Sequence, residues 1–286
     1  MKFVTYSPAG TTARLGITVE GGIIDLSAHL AACPPTMTDL IAAWDELAPA
    51  IRKIVAQTAP DHPLDEAQLL PPIQRPGKIL GIGLNYADHV KESGMEAPTE
   101  PLWFAKMPTT VNAPHGDVDV PRVSEQLDYE VELAVIIGRR CKHVPTENAA
   151  DVIFGFCVAN DFSVRDWQLR TSQFMVGKSF DTHAPFGPWI TTADEMTTPH
   201  GLDIECRVNG EVRQKSNTSH LVYNCYAQIA HLSQAMTLEP GDIILTGTPG
   251  GVGAAFQPPR WLRNGDLVES SISGLGTLRN RIRNES

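Results

Sequence analysis

The segment LDYEVELAVIIG, residues 127–138, constrains this chain more than any other stretch. It reads as a core strand, and side chains on a strand alternate between faces with period two. Val131, Leu133, Val135 and Ile137 therefore share one face, while Glu130 and Glu132 share the other with Ala134 and Ile136. Two carboxylates on one face repel each other, and burial raises the cost. Solvent, a basic partner or a metal ion can relieve it. A wet sheet face is the ordinary explanation of such a pair, but here the glutamate face continues with two apolar residues.

A third acid follows in GFCVANDFSVRDWQ. Asp161 ends an apolar strand at the mouth of a loop, where site residues are commonly placed. The competing reading makes Asp161 an N-cap or turn residue for the helix SVRDWQLR. Three carboxylates suit a hard divalent ion such as Mg²⁺, Mn²⁺ or Ca²⁺ and leave coordination positions for water and substrate. No His/Cys pattern with zinc spacing is present. Asp128 shares the glutamate face and is either a support for the ligands or an exposed strand-start residue.

Length and charge narrow the classes further. A chain of 286 residues holds one large domain, or one medium and one small. Its net charge of -10 argues against nucleic acid as a partner, because phosphate binding needs clustered Lys and Arg. No apolar run approaches the roughly 20 residues that span a bilayer, and the opening MKFVTYSPAG turns polar too soon for a secretory signal. The five cysteines are scattered, odd in number and without a C-x-x-C pair, as expected of reduced thiols in a cytoplasmic protein.

KFVTY, RLGITVE and GIIDLS alternate like strands. TDLIAAWDELA and AIRKIVAQTA have helical spacing, and Pro49 is expected to break them apart. A proline-rich connector follows over 59–78, in which Leu69 and Leu70 can form a short strand. From Lys78 onward short strands alternate with loops rich in Gly, Pro and Asp, and RVNGEVRQ holds an Asn-Gly hairpin turn. Helical candidates are few: YADHVKES, NAAD, SVRDWQLR and LVYNCYAQIAHLSQAM. The pattern predicts a β-rich α+β fold, with a small N-terminal α/β domain over 1–72 and a larger domain over 73–286. It disfavours a Rossmann or TIM arrangement.

The motifs GIGLNYADHVKE, LDYEVELAVIIG, ANDFSVRDWQ, GKSFDTHAPFGPW, NGEVRQKSNT, LTGTPGGVG and PPRWLRNGDLVESSISGLGTLRN occur in that order. From Lys78 to the C-terminus the chain resembles the fumarylacetoacetate hydrolase family, in its bacterial two-domain acylpyruvase or diketo-acid hydrolase form. The resemblance implies a mixed β-sandwich roll, a homodimer, and Mg²⁺ or Mn²⁺ held by Glu130, Glu132 and Asp161, with Ca²⁺ also compatible. It implies a catalytic His89/Glu92 pair; at i and i+3 these lie on one helix face, and a carboxylate beside an imidazole orients it. An ordinary charged surface helix is the alternative reading, and Asn85 is expected to cap it. Lys178 matches a family lysine near the metal; its alternative is a salt bridge to Asp181. Thr248, Gly247, Gln168 and Gln214 match substrate-binding positions, while Arg165 and Asp166 are expected to make structural hydrogen bonds. Two departures, Met107 after Lys106 and His183, bear on the substrate rather than the fold.

The implied reaction is hydrolysis of a carbon–carbon bond in a β-dicarbonyl acid (an acylpyruvate, fumarylpyruvate or 2,4-diketo acid) in aromatic or sugar acid catabolism. His89 would activate water, and Lys178 would help the metal hold the enolate that is left. The alternative on the same scaffold is an oxaloacetate decarboxylase or a related decarboxylase or isomerase. A non-catalytic, metal-stabilised small-acid binding protein is the reading from another class. The His89/Glu92 pair weighs against it, because a binder needs no base.

Overall fold

In the computed structural model, which describes residues 1–8, 12–93 and 99–286, strand Val131–Ile137 lies inside an 11-stranded mixed sheet. Antiparallel neighbours Ile153–Asn160 and Ile243–Leu245 flank it. The sheet then continues through Ile79–Gly83, parallel to Ile243–Leu245, and Leu102–Lys106. On the other side it runs through Ala184–Thr192 to Lys2–Pro8, Arg14–Val19 and Gly22–Asp25. The strands of the first 72 residues thus hydrogen-bond into the same sheet as the rest. A second sheet has five strands, ordered Glu211–Asn217, Asp203–Val208, Leu267–Ile272, Gly276–Asn284 and Val118–Val120. This is the strand-rich α+β architecture that the alternation predicted.

The two faces of Val131–Ile137 meet different cores. Val131, Leu133, Val135 and Ile137 pack with Ile204, Cys206, Val268, Leu278 and Ile282 of the second sheet. Ala134 and Ile136 pack with Phe3 and with Met37, Leu40, Ile41 and Ile51 of the N-terminal helices. Every residue of the strand is buried. Each large aliphatic side chain so buried contributes about 1.5–3 kcal/mol, and on the glutamate face Glu130 and Glu132 are themselves only 4% and 1% exposed. A wet face therefore does not explain the two glutamates.

Register decides where the third acid sits. Val131 pairs with Asn160 and Glu132 with Ala159, so one step beyond the ladder Glu130 faces Asp161. The Asp161 N–H donates to Glu130 O (2.8 Å). Opposite residues share a face, and the diagonal neighbour two positions on shares it too. Glu130, Glu132 and Asp161 are thus brought together by strand pairing alone.

Several local expectations need correction. Pro49 does not separate two helices; it lies exposed inside helix Trp44–Gln57, and the break comes at Ala43 (φ -96, ψ 13) between this helix and Met37–Ala42. Proline removes one backbone hydrogen bond, but on this helix it does so on the solvent side, while Ala48 and Ile51 are buried. The helix in LVYNCYAQIAHLSQAM starts only at Cys225, capped by Asn224, whose side chain accepts from Ala227 N–H. SVRDWQLR contributes a single helical turn, Arg165–Gln168, after the short strand Ser163–Val164. NAAD lies in a 3₁₀ segment, Thr146–Val152. All five cysteines are free thiols, and no described helix is long and apolar enough to cross a membrane.

Gly155 tests the packing that holds Asp161 in place. It sits in strand Ile153–Asn160, and a Cβ there would lie 2.2 Å from Thr191 O of the neighbouring strand. Gly155→Ala is expected to destabilise the fold by about 1–3 kcal/mol, read as a lowered melting temperature. An unchanged melt would show that the two strands separate easily.

Candidate metal centre and active site

Glu130, Glu132 and Asp161 each place a carboxylate oxygen within 4.8 Å of the others, and all three are buried. Three cations crowd around them. Lys178 Nζ donates to Glu130 Oε2 and to Asp161 Oδ2, both at 2.7 Å. Lys106 Nζ lies 2.5 Å from Asp161 Oδ1 and also donates to Phe162 O at 3.1 Å. Arg165 bridges Asp128 Oδ2 through Nε (2.8 Å) and Glu130 Oε1 through NH1 (2.6 Å). Four carboxylates, counting Asp128, thus share three cations.

Glu132 is the carboxylate with no cation within 4.0 Å among the described residues; its Oε2 accepts instead from Gly247 N–H at 2.6 Å. Burial pushes its carboxyl well above the usual range, and the nearby charges of Asp161 and Glu130 push it further. Burial also acts upward on Glu130, but Lys178 and Arg165 overcome it and hold Glu130 down at about 2. For Lys178, burial is outweighed by Asp161 and Glu130, so the ammonium is held above its usual value. Lys106 goes the other way: burial pulls it down more than Asp161 pulls it up. Glu132 is therefore the carboxylate that the protein's own cations do not neutralise, and without a further cation it tends to keep its proton. A hard divalent cation with oxygen ligands fits this donor set and would supply the missing positive charge.

The loop after strand Ile243–Leu245 ties this centre to the helix Ala87–Ser93. Gly247 donates to Glu132, Thr248 Oγ1 donates to Val131 O (2.9 Å), and Gly251 N–H donates to Glu92 Oε2 (2.6 Å). On that helix His89 Nδ1 lies 3.5 Å from Glu92 Oε1, so the predicted pair does face itself across one turn. Both side chains line a cavity of about 330 Å³ that also reaches Glu130, Arg165, Lys178 and Thr248. Apolar side chains, including Phe104, Leu169 and Phe174, form most of the remaining wall, together with the amides of Gln168 and Gln257. An imidazole beside a carboxylate thus shares one pocket with the carboxylate of Glu130 and the cations of Arg165 and Lys178.

The remaining expected residues divide. Gln168 lines the cavity, its Oε1 accepting from Arg165 NH1. Gln214 lies behind Thr248: its Nε2 donates to Thr248 Oγ1 and Pro249 O, and its Oε1 accepts from Val131 N–H. Gly247 likewise stands behind the wall, as a donor to Glu132. Asn85 does not cap the helix; its amide bridges Thr246 O and Tyr223, spanning segments remote in sequence. Lys178 pairs with Glu130 and Asp161, not with Asp181. Asp166 accepts from Ser124 Oγ and Arg170, while Arg165 does more than a structural residue, touching Glu130 from the cavity wall. His183 is wholly buried, with Nε2 2.8 Å from Asp119 O. Lys106 joins the site although nothing next to it in sequence marks it as the partner of an acid 55 positions away.

The charge imbalance has a sign that can be checked. A carboxyl whose folded pKa is raised above its ordinary 4.5 holds its proton more tightly in the native state. The stability contributed by that proton is complete below the ordinary value and is lost as pH rises through the raised one. In EDTA the protein is thus expected to lose thermal stability above pH 4.5. Mn²⁺ at 100 times its Kd should stabilise it by about 2.7 kcal/mol while displacing protons. Glu132→Gln should remove both the pH slope and the Mn²⁺ effect; a variant that still binds Mn²⁺ would refute this assignment.

Comparison with known proteins agrees with the geometry. Residues 78–283 match the family described as fumarylacetoacetate (FAA) hydrolase C-terminal. The mitochondrial oxaloacetate tautomerase FAHD2A of Bos taurus is 42% identical over 264 residues, covering 92% of this chain and 84% of that protein. A crystal structure of maleylpyruvate hydrolase from Sphingobium sp. SYK-6, in complex with manganese(II) and pyruvate, superimposes with a TM-score of 0.84 at 32% identity and full coverage of both chains. A 2-hydroxyhepta-2,4-diene-1,7-dioate isomerase from Mycobacterium marinum gives 0.77 at 30% identity, covering 100% of this chain and 99% of the other. With the family match spanning most of its length and the acidic triad at the predicted positions, the chain belongs to the fumarylacetoacetate hydrolase family.

Proposed function

We propose that this protein is a divalent-metal-dependent enzyme that moves a proton on a 2-oxo acid carrying a second carbonyl, with keto–enol interconversion of oxaloacetate as the first reading. The observation that carries it is the His89/Glu92 pair facing the acid-and-cation wall across one cavity. A divalent ion held by Glu130, Glu132 and Asp161 would supply Lewis-acid polarisation of the substrate's keto group. His89 accepts a proton from the carbon between the two carbonyls and returns one to the substrate. Glu92, itself fixed by Gly251 N–H, lies 3.5 Å from His89 Nδ1, which has no hydrogen-bond partner here; that contact would orient the imidazole if it tightened with substrate bound. Lys178 spends two hydrogens on Glu130 and Asp161 and has a third for a substrate oxygen. Arg165 NH2 is buried without a hydrogen-bond partner, which makes it a donor suited to a carboxylate. The oxaloacetate tautomerases at about 42% identity support this reading.

Hydrolysis of an acylpyruvate is the second reading, supported by the maleylpyruvate hydrolase neighbour bound to pyruvate. There His89 would take a proton from water, and the resulting hydroxide would attack the distal carbonyl. The carbon–carbon bond breaks toward the carbon between the carbonyls, and Lys178 steadies the enolate oxygen. Oxaloacetate decarboxylation would use the same residues without the water.

A substrate panel separates these readings. Enol absorbance of oxaloacetate and of several acylpyruvates is followed with Mn²⁺ and then with excess EDTA. Chelator-sensitive oxaloacetate tautomerisation, reduced at least about a hundredfold in His89→Ala, is the expected result. Cleavage of an acylpyruvate would favour the hydrolase, and release of CO₂ the decarboxylase. Tight binding of these acids without turnover under any divalent ion would make the protein a binder.

We also propose a homodimer. Leu169, Met175 and Val176 are exposed apolar side chains on the segment that leads to Lys178, a surface suited to a second copy. Sedimentation showing a monomer at micromolar concentration would exclude this.

A further inference from the structure

Asp128 touches neither the cavity nor, by its position, a metal at the triad, yet it is wholly buried and makes four hydrogen bonds. Its Oδ1 accepts from Tyr129 N–H (2.9 Å) and Gly253 N–H (2.7 Å). Its Oδ2 accepts from Arg165 Nε (2.8 Å) and Ala254 N–H (3.0 Å). An ionised carboxylate has about four lone-pair sites, and all are engaged. No neutral residue of this size offers the same four acceptors.

These partners lead to both halves of the active site. Through Arg165, Asp128 reaches Glu130, which NH1 holds at 2.6 Å. Through Gly253 and Ala254 it pins the far end of the loop that begins at Gly247, the donor to Glu132. Midway along that loop Gly251 donates to Glu92, and Gly251 O accepts from Tyr129 OH at 3.0 Å. A side chain at Gly251 is excluded, because its Cβ would meet Arg213 O at 2.0 Å. The loop is therefore a stiff strap. It is bonded at one end to a metal ligand, in the middle to the acid behind His89, and at the other end to Asp128.

We infer that Asp128 is a positioning residue which, through Arg165 and the loop 247–254, couples filling of the acidic triad to seating of the His89/Glu92 helix. A cation that draws Glu130 and Glu132 into fixed positions fixes Gly247 and Arg165 with them. The strap then holds Gly251 where Glu92 needs it. The coupling is reciprocal, since a seated helix must favour the cation by the same factor. It holds whichever reaction the site performs, because it concerns the metal ligands and the base rather than the substrate.

The experiment uses the full chain and Mn²⁺ alone as the probe. Free Mn²⁺ is measured by electron paramagnetic resonance, and amide exchange by mass spectrometry. In the unsubstituted protein Mn²⁺ is expected to slow exchange across the helix Ala87–Ser93 by roughly tenfold, within the usual range of coupling between sites. Asp128→Asn keeps the size but replaces an acceptor with a donor. It should weaken Mn²⁺ binding by about 10–100-fold, and even at saturating Mn²⁺ the helix should exchange as it does without metal. Ala254→Pro deletes one loop donor while leaving the Asp128–Arg165 pair, so it carries the test if Asp128→Asn does not fold. Its effects should be smaller and in the same direction. Mn²⁺ slowing the helix equally in the variants and the unsubstituted chain would overturn the inference. So would no slowing in the unsubstituted chain, or variants whose only change is a lower melting temperature.

Discussion

Everything at this site depends on the need to balance buried negative charge at the end of a sheet. Strand pairing sets Glu130, Glu132 and Asp161 side by side, and the layers above and below keep water from most of the strand. Charges in such surroundings are tolerated only when paired, and removing one partner from a buried pair costs about 3–5 kcal/mol. Lys106, Arg165 and Lys178 answer three of the four carboxylates. Glu132, left to a single backbone N–H, marks where a further cation belongs. The fold thus tolerates this cluster in part and leaves the remainder of its charge to be balanced by a metal.

The same need explains why so much of the surrounding chain is committed to holding side chains still. Asn85, Gln214 and Asp128 have their polar atoms bonded mainly to backbone, and otherwise to the side chains of Thr248 and Arg165. Buried polar groups that are fully bonded rigidify their surroundings. Here they fix the loop after Ile243–Leu245, whose glycines allow the backbone to approach Asn85 and Arg213 closely. Reactive side chains are consequently placed by main-chain geometry: Glu132 by Gly247, and Glu92 by Gly251.

That rigidity is compatible with more than one reaction. An imidazole across from clustered cations can move a proton on carbon or activate a water, and either leads to an enolate that Lys178 can steady. Structures named as a hydrolase and an isomerase share the architecture, and proteins named as tautomerases share 42% of the sequence. In this chain the cavity wall away from Glu130 combines apolar side chains, Phe104, Leu169 and Phe174 among them, with the amides of Gln168 and Gln257.

The sequence by itself determined the faces of Val131–Ile137, the sharing of one face by the two glutamates, and the β-rich class, because a period of two is a local property of a strand. Ordered motifs from Lys78 onward also identified the family, and through that resemblance pointed to the acidic triad and the His89/Glu92 pair as candidates. Only the tertiary structure decided which cations answer which acids. Lys106 and Asp161 are 55 residues apart, and Arg165 and Asp128 are 37 apart; no periodicity reports a neighbour across a sheet or a loop. For the same reason Asn85, a cap by local rules, is a bridge to Thr246, and Gln214, a pocket residue by motif, stands behind Thr248. Pro49 shows the converse, a local helix breaker overruled because Ala48 and Ile51 bury the stripe on the other side of the helix.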